Sequence, residues 1–475
     1  MVDDRPSIGQ DQKLMTSHSI MGDDRVLTKL ELESSCFQTP PTVVSDLGQI
    51  SPFEFNGRLR YDLTPPSETS EFDQDVASVT QLFSETSEPV VAIIGVGYVG
   101  QHLAQVFSRA YNVLGYDISK SRTDHLTEIF DGNNRAKFTS SPAALGQATH
   151  FLISVPTLLL PDKTIDSSFL RNALSTVARF ARPGSTIVIE SSVAVGMTRE
   201  FVGPLARKKG FFAGMSPERV DPGRTEPPAH AIPKIISGLD DVVPGSLSAI
   251  HKLYSRVFDQ VTPVSTPEVA EMTKLYENCQ RMVCIAYANE MADACISHGI
   301  DPFEVCKAAS TKPFGYMPFS PGLGVGGHCI PVNPYYLLSN NRFPILEAAS
   351  DRMASRPGEI ARRVVAKLCK RVPYYRPHVL VVGMGFKIGQ AHLTNSPGLG
   401  LAKGLVLTQM VDVSWADPLV SQESIPQIPR FDEVEWSLEA LDSRFDLIIV
   451  AFRQSCLDFP LLEQLRIAEV EMWCP

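Results

Sequence analysis

The chain has 475 residues, more than one hydrophobic core usually serves, so two or three domains are expected. Its formal net charge of −10 carries no basic stripe, which argues against nucleic acid as a partner. Nine cysteines, scattered without CxxC or Cys/His ligand spacing, rule out a disulfide scaffold, give no metal site and suit a reducing, cytoplasmic compartment. The first residues, MVDDRPSIGQDQKL, are acidic and lack an apolar signal core, and the longest apolar runs are strand-sized. Neither secretion nor membrane spanning is expected. Residues 1–87, rich in Ser, Thr, Asp, Glu and Pro, predict a disordered arm. From Val90 the texture changes to short β-branched runs, VVAIIG, NVLGYD, THFLISV and STIVIESS, alternating with helical stretches, the pattern of a parallel sheet with crossover helices. Near Thr266 the segment PEVAEMTKLYENCQRMVCIAYANEMADACISHG predicts one long helix from Pro267 to Gly299. A Gly-rich loop, SPGLGVGGHCIPVNP, and more helix follow, and then HVLVVGMGF and FDLIIVAF open a second α/β series. The expected organisation is a Rossmann-like α/β domain over 88–250, a helical middle domain over 251–372 and a C-terminal α/β domain over 373–475.

The strand Val91–Ile94 runs into Gly95-Val96-Gly97-Tyr98-Val99-Gly100 and then into a helical pattern, with Asp117 ending the next strand. In such a loop the first glycine makes the turn, the second admits a pyrophosphate, the third lets helix pack on strand, and the helix N-terminus presents N–H donors. Asp117, 22 residues after Gly95, stands where an acid accepts the ribose hydroxyls and repels a 2′-phosphate, so NAD is expected rather than NADP. An ordinary glycine turn is the bland alternative, and FAD sites share the fingerprint.

Further motifs follow in order: VPT at 155–157, ESSVAVG at 190–196, SPERVDPG at 216–223, AEMTKLYEN at 270–278, GVGGHCIPVNPYYL at 324–337 and GMGFK at 383–387. With GVGYVG they make the chain from about Val90 onward resemble the UDP-glucose/GDP-mannose dehydrogenase family. SPER and GGHCIP are similar to its branch acting on UDP-N-acetylhexosamines, such as UDP-N-acetylmannosamine. The resemblance implies an NAD-dependent, four-electron oxidation of the C6 alcohol of a UDP-sugar to the uronate, in polysaccharide or nucleotide-sugar biosynthesis. It also implies a C-terminal Rossmann-like UDP-sugar-binding domain and a homodimer formed through the middle helix.

Carried over residue by residue, it makes Cys329 the nucleophile, Lys274 and Asn278 its helpers, Glu218 the acid/base or water-positioning carboxylate, and Lys387 a lysine reaching the substrate. Gly326 and Arg219 fall on the substrate side. A cysteine suits the chemistry because its thiolate traps the aldehyde as a thiohemiacetal, a second oxidation gives a thioester, and water releases the acid. Lys274 and Asn278, four apart, project from one helix face toward a developing oxyanion; the bland reading is a solvated face. Glu218 with Ser192 can orient the hydrolytic water, Arg219 can be merely a salt-bridge partner, and Thr157 can line the nicotinamide pocket or simply end a strand. His328 lacks ligand-spaced partners and reads as loop-orienting.

Several positions depart from the family: Asn333 for the aspartate four residues after the nucleophile, Thr394 and His392 for an arginine and an acid, Met353 and Cys284 for asparagines, and Leu158 for a proline. Asn333 accepts a hydrogen bond but holds no charge. Two rivals therefore stand beside the enzyme: a pseudoenzyme that binds NAD or nucleotide sugar without turnover, and a β-hydroxyacid dehydrogenase, which needs no Cys329 and leaves the second α/β series unexplained.

Overall fold

The β-branched runs form strands shielded on both faces, as crossover helices require. The computed structural model describes residues 88–221 and 223–474; the expected arm over 1–87 lies outside them. The first half is built from β1 (Val90–Ile94), α1 (Tyr98–Phe107), β2 (Asn112–Tyr116), α2 (Lys120–Ile129), β3 (Ala136–Thr139), β4 (His150–Ile153), the short hairpin β5 (Leu158–Leu159) and β6 (Ile165–Asp166), α3 (Ser168–Phe180), β7 (Thr186–Ile189), α4 (Met197–Lys209), β8 (Phe212–Met215), β9 (Lys234–Gly238), α5 (Ser246–Tyr254) and β10 (Val261–Pro263). Eight of these strands form one sheet in the order β10-β9-β8-β7-β4-β1-β2-β3. The two-residue alternation of side chains divides its core. Val91 and Ile93 pack with Leu103, Phe107 and Tyr254 of α1 and α5 on one face. Ala92 and Ile94 pack with Leu170 and Val177 of α3 and Val202 of α4 on the other.

The sheet departs from the parallel pattern at one end, where β9 pairs antiparallel to β8. The cause lies in the connection. The described residues of 216–233 contain no α-helix to carry the chain back across the sheet, so the strand returns in the opposite sense, whereas α5 restores a parallel crossover between β9 and β10.

Next come α6 (Pro267–Ile296), α7 (Pro302–Ala309), α8 (Asn333–Leu338) and α9 (Pro344–Arg371). α6 starts at Pro267 as predicted, and Thr266 caps it, its hydroxyl accepting from the Val269 N–H. The helix stops three residues before Gly299. α6 and α9 are joined by the buried Arg356, whose guanidinium donates to Asp293 at 2.6 and 3.1 Å and to the Gly322 carbonyl at 3.0 Å. A buried cation needs such partners.

The last stretch contains β11 (His378–Val382), α10 (Pro397–Thr408), β12 (Asp412–Ala416), α11 (Leu438–Arg444), β13 (Leu447–Val450) and β14 (Glu469–Met472), the strands forming an all-parallel sheet in the order β12-β11-β13-β14. Among the described residues no helix is long and apolar enough to cross a membrane.

Candidate active site

Parallel strands deliver their C-terminal ends to one edge of a sheet, and ligands gather there. At the end of β1 the backbone turns at Gly95, with φ of +86°. A side chain at Gly100 would stand 2.1 Å from the Gly95 carbonyl oxygen, so α1 packs too closely on the loop for any residue but glycine. Gly97 is different. A methyl there would meet nothing within 4 Å, and no side chain caps α1 behind it. The first N–H groups of α1 therefore open onto unfilled space, a cradle that fits a dinucleotide pyrophosphate. Asp117, just past β2, accepts from the Val96 and Ser119 N–H groups, both at 3.0 Å, and so braces the loop on the side where a ribose would lie. Arg122 of α2 also holds it, donating to the Val96 carbonyl and to Gln101, each at 2.8 Å. The sequence reading passed over Arg122; its place one turn into the helix after Asp117 was the available signal. Tyr98 lies on α1 near Gly223 and the carboxylates of Asp221 and Glu218.

Cys329 sits on a tight turn entering α8, its carbonyl accepting from the N–H groups of Val332 at 3.3 Å and Asn333 at 2.9 Å. The preceding glycines let this turn press against the last α/β unit. A side chain at Gly326 would come within 2.9 Å of Phe386 Cβ, and one at Gly327, where φ is +89°, within 2.9 Å of the Phe386 ring. The Gly327 N–H donates to the Thr394 carbonyl and the Gly327 carbonyl accepts from Asn395, each at 2.9 Å. On the other side, Tyr336 of α8 donates to the Thr157 carbonyl at 3.0 Å, and the Thr157 hydroxyl donates to the Ser192 carbonyl at 2.7 Å. This chain ties the cysteine turn to the ends of β4 and β7. Tyr336 itself is pushed up to about 12, by burial first.

From α6 come Lys274 and Asn278, both buried, which overturns the solvated-face reading of that pair. Burial pushes the Lys274 ammonium below the usual lysine range; Cys329, Glu218 and Glu277 hold it partly up, and Arg281 pushes it down. Asn278 donates to the Asn333 side chain and accepts from Arg281 at 2.6 Å. His328, beside His392, is lowered, by desolvation first and by that neighbour second.

Glu218 belongs to a buried cluster. One carboxylate oxygen accepts from the N–H groups of Arg219 at 2.6 Å and Val220 at 2.9 Å, and the other from Lys234 at 2.9 Å. Lys234 also donates to Glu190 at 2.7 Å, and Tyr254 donates to the remaining Glu190 oxygen. Neither Lys234 nor Glu190 was singled out as a site residue from the sequence. A lysine opening the apolar run KIISG was the missed signal, because a strand buried on both faces accepts a cation only beside a carboxylate. Two carried-over residues have protein partners. Arg219 pairs with Glu277 of α6 at 2.6 Å, its salt-bridge reading, and Lys387 bridges to Asp221 at 3.0 Å, joining the GMGFK loop to the segment after Glu218.

A glycine cradle on a Rossmann-like sheet, with a cysteine turn tied to the ends of β4 and β7 of that sheet and a buried lysine that feels the cysteine, defines an NAD-dependent oxidoreductase. Residues 90–258 match the NAD binding domain of the UDP-glucose/GDP-mannose dehydrogenase family, and residues 268–350 match its central domain. The chain is 33% identical over 358 residues to UDP-N-acetyl-D-glucosamine 6-dehydrogenase of Pseudomonas aeruginosa, a match covering 70% of this chain and 83% of that protein. It is 28% identical over 404 residues to UDP-N-acetyl-D-mannosamine dehydrogenase of Pyrococcus horikoshii, covering 76% and 94%. The solved structure of the UDP-D-ManNAc dehydrogenase from Pyrococcus horikoshii superposes with a TM-score of 0.67 at 27% identity, over 80% of this chain and 98% of that one. The chain belongs to the UDP-glucose/GDP-mannose dehydrogenase family.

Proposed function

We propose that this protein oxidises the C6 alcohol of a UDP-N-acetylhexosamine to the uronate, with Cys329 as covalent nucleophile. The observation that carries the reading is the convergence of Lys274, Asn278 and Asn333 on the Cys329 turn. The similarity to dehydrogenases named for UDP-N-acetyl-D-glucosamine and UDP-N-acetyl-D-mannosamine supports the sugar class.

In this reading the GVGYVG loop, with Tyr98 and Val99, and the α1 N-terminus hold the pyrophosphate, Asp117 the ribose, and Thr157 and Ser192 the nicotinamide end. NAD supplies the hydride acceptor at both oxidation levels. The protein does the rest. Cys329, as thiolate, adds to the aldehyde carbon, and the Lys274 ammonium with the Asn278 amide stabilises the oxyanion of the thiohemiacetal. Oxidation of that adduct leaves a thioester. Glu218 and Ser192 orient a water onto its carbonyl; as the water oxygen adds, its protons pass to solvent, the C–S bond breaks, the thiolate returns and the sugar leaves as its carboxylate. The eight-stranded unit, the helical middle built on α6 and the C-terminal α/β unit divide the work, the last holding the UDP-sugar with Lys387, which bridges to Asp221, at its edge. Eight described cysteines are all free thiols, which supports a cytoplasmic setting.

The test is to supply NAD with UDP-N-acetylglucosamine, UDP-N-acetylmannosamine and UDP-glucose in parallel, and to count NADH and sugar acid. About two NADH per acid on an N-acetylated substrate is expected, as a four-electron oxidation requires, and Cys329→Ser should abolish acid formation. Acid production that survives in Cys329→Ser overturns the covalent reading. Silence on every sugar, with NAD still raising Tm, returns the pseudoenzyme.

A further inference from the structure

The buried cluster around Lys234 has no part in the chemistry above beyond its contact with Glu218. An ionised carboxylate offers about four acceptor positions. In Glu218 three are occupied: two on one oxygen by the Arg219 and Val220 N–H groups, and one on the other by Lys234. Of these three side chains Glu218 is the most open, being 12% exposed against 0% for Glu190 and 2% for Lys234, and its charge is felt by Lys274, which in turn feels Cys329. We propose that Lys234 is a positioning residue: bridged to Glu190, it locks the Glu218 carboxylate so that a single acceptor lobe is left, aimed into the cleft at the hydrolytic water.

This rests on the reading of Glu218 given above and deepens it. Two acids share one ammonium here, so the charge does not balance unless the acids differ. They do differ. Burial raises Glu190 to about 7 against the pull of Lys234, while in Glu218 the charge and hydrogen bond of Lys234, with the two backbone donors, outweigh burial and hold the carboxyl below its usual range. Glu190 thus takes up the proton of the pair, and Glu218 stays an anion that orients water rather than an efficient base. Lys234 is held up by both acids against its own burial. The other titratable groups that feel Glu218 are Tyr98 and His102 of α1, Tyr254 of α5 and Lys274 of α6. None replaces the cation that Lys234 sets directly against the carboxylate.

Lys234→Met leaves the Glu218 anion and Glu190 without their cation and is expected to destabilise the fold. The informative variant is therefore Glu190→Gln/Lys234→Met, in which the neutral amide stands in for protonated Glu190 and Glu218 is the one carboxylate of the cluster left to titrate without the clamp. Its kcat on the best UDP-sugar should fall about 10- to 100-fold, the scale of loss when a positioned group is misplaced, with KM for NAD within about threefold of wild type. The acid limb of its kcat–pH profile should move to higher pH, and Lys234→Arg should restore that limb. A purely structural role predicts instead that the double variant, once folded, recovers wild-type kcat and profile; that result overturns the proposal. A second readout needs no turnover: carbon-13 NMR of glutamate carboxylates, with Glu218→Gln for assignment, should show Glu218 titrating at higher pH in the double variant. An unmoved Glu218 titration overturns the clamp. If the wild type is silent on every UDP-sugar while that titration moves, the dehydrogenase reading falls and the clamp stands.

Discussion

At the scale of single residues, charge and burial assign the roles. Lys274 is desolvated by its place on the inner face of α6, and its ammonium consequently titrates below the usual lysine range of about 10.4. The charged form prevails at low pH, so stabilisation of the oxyanion is complete there and is lost as pH rises through the lowered pKa. The kcat–pH profile should therefore fall on the alkaline side at a pH below that of an exposed lysine. Lys274→Met should reduce kcat about 10²- to 10³-fold, the usual loss for an oxyanion donor, and erase that limb. A profile unchanged in Lys274→Met would remove lysine from the chemistry. Asn333 is the departure closest to the nucleophile. It lies in the first turn of α8 and accepts from Asn278 through an oxygen that aspartate would also offer. Asn333→Asp keeps that hydrogen bond and adds charge where the helix dipole favours it. Turnover should rise about tenfold, as a gained proton acceptor provides, with Tm little changed; a slower Asn333→Asp enzyme would mean the site is tuned to the amide.

At the scale of elements, glycines with opposite surroundings separate binding from packing. Gly97→Ala adds a methyl to open space at the head of α1, so stability without ligand should hold within about 0.5 kcal/mol, as for other surface changes, while KM for NAD rises at least tenfold. Gly326→Ala drives a methyl against Phe386 Cβ and should cost about 1–3 kcal/mol in urea unfolding, as overpacking does, and displace the cysteine turn. The two variants should thus fail in different assays. The same contrast explains what was legible in the sequence. The GVGYVG loop, the start of α6 and the cysteine loop announced themselves because glycine, proline and capping residues act locally. The antiparallel return of β9 and the Glu190–Lys234–Glu218 cluster did not, since they join residues 44 and 16 positions apart whose meeting is decided by strand order. The burial of Lys274 and Asn278 was hidden for a related reason: α6 carries polar residues on its inner face, where spacing alone suggests solvent.

At the scale of the whole molecule, the question is what covers the outer face of α6. Val269, Tyr276 and Tyr287 are 42, 69 and 62% exposed. Their spacings of 7 and 11 residues bring them to one side of the helix, the side opposite Lys274 and Asn278. A stripe rich in aromatic side chains on a 30-residue helix is costly to leave in water and has the composition of an interface core. Since the inner face of the same helix supplies the residues set against Cys329, pairing of two chains along α6 would stiffen both active sites at once. The homodimer is therefore the expected state, with an interface of about 1,200 Å² or more. Tyr276→Asp combined with Tyr287→Asp places charge in that seam while leaving every buried contact of α6 in place. Sedimentation equilibrium should report a dimer for the wild type and a monomer for the variant, with a lower Tm and reduced kcat because α6 loses its outer support. A variant that remains dimeric would move the interface elsewhere, and a wild type that is monomeric would leave the tyrosine stripe to another partner.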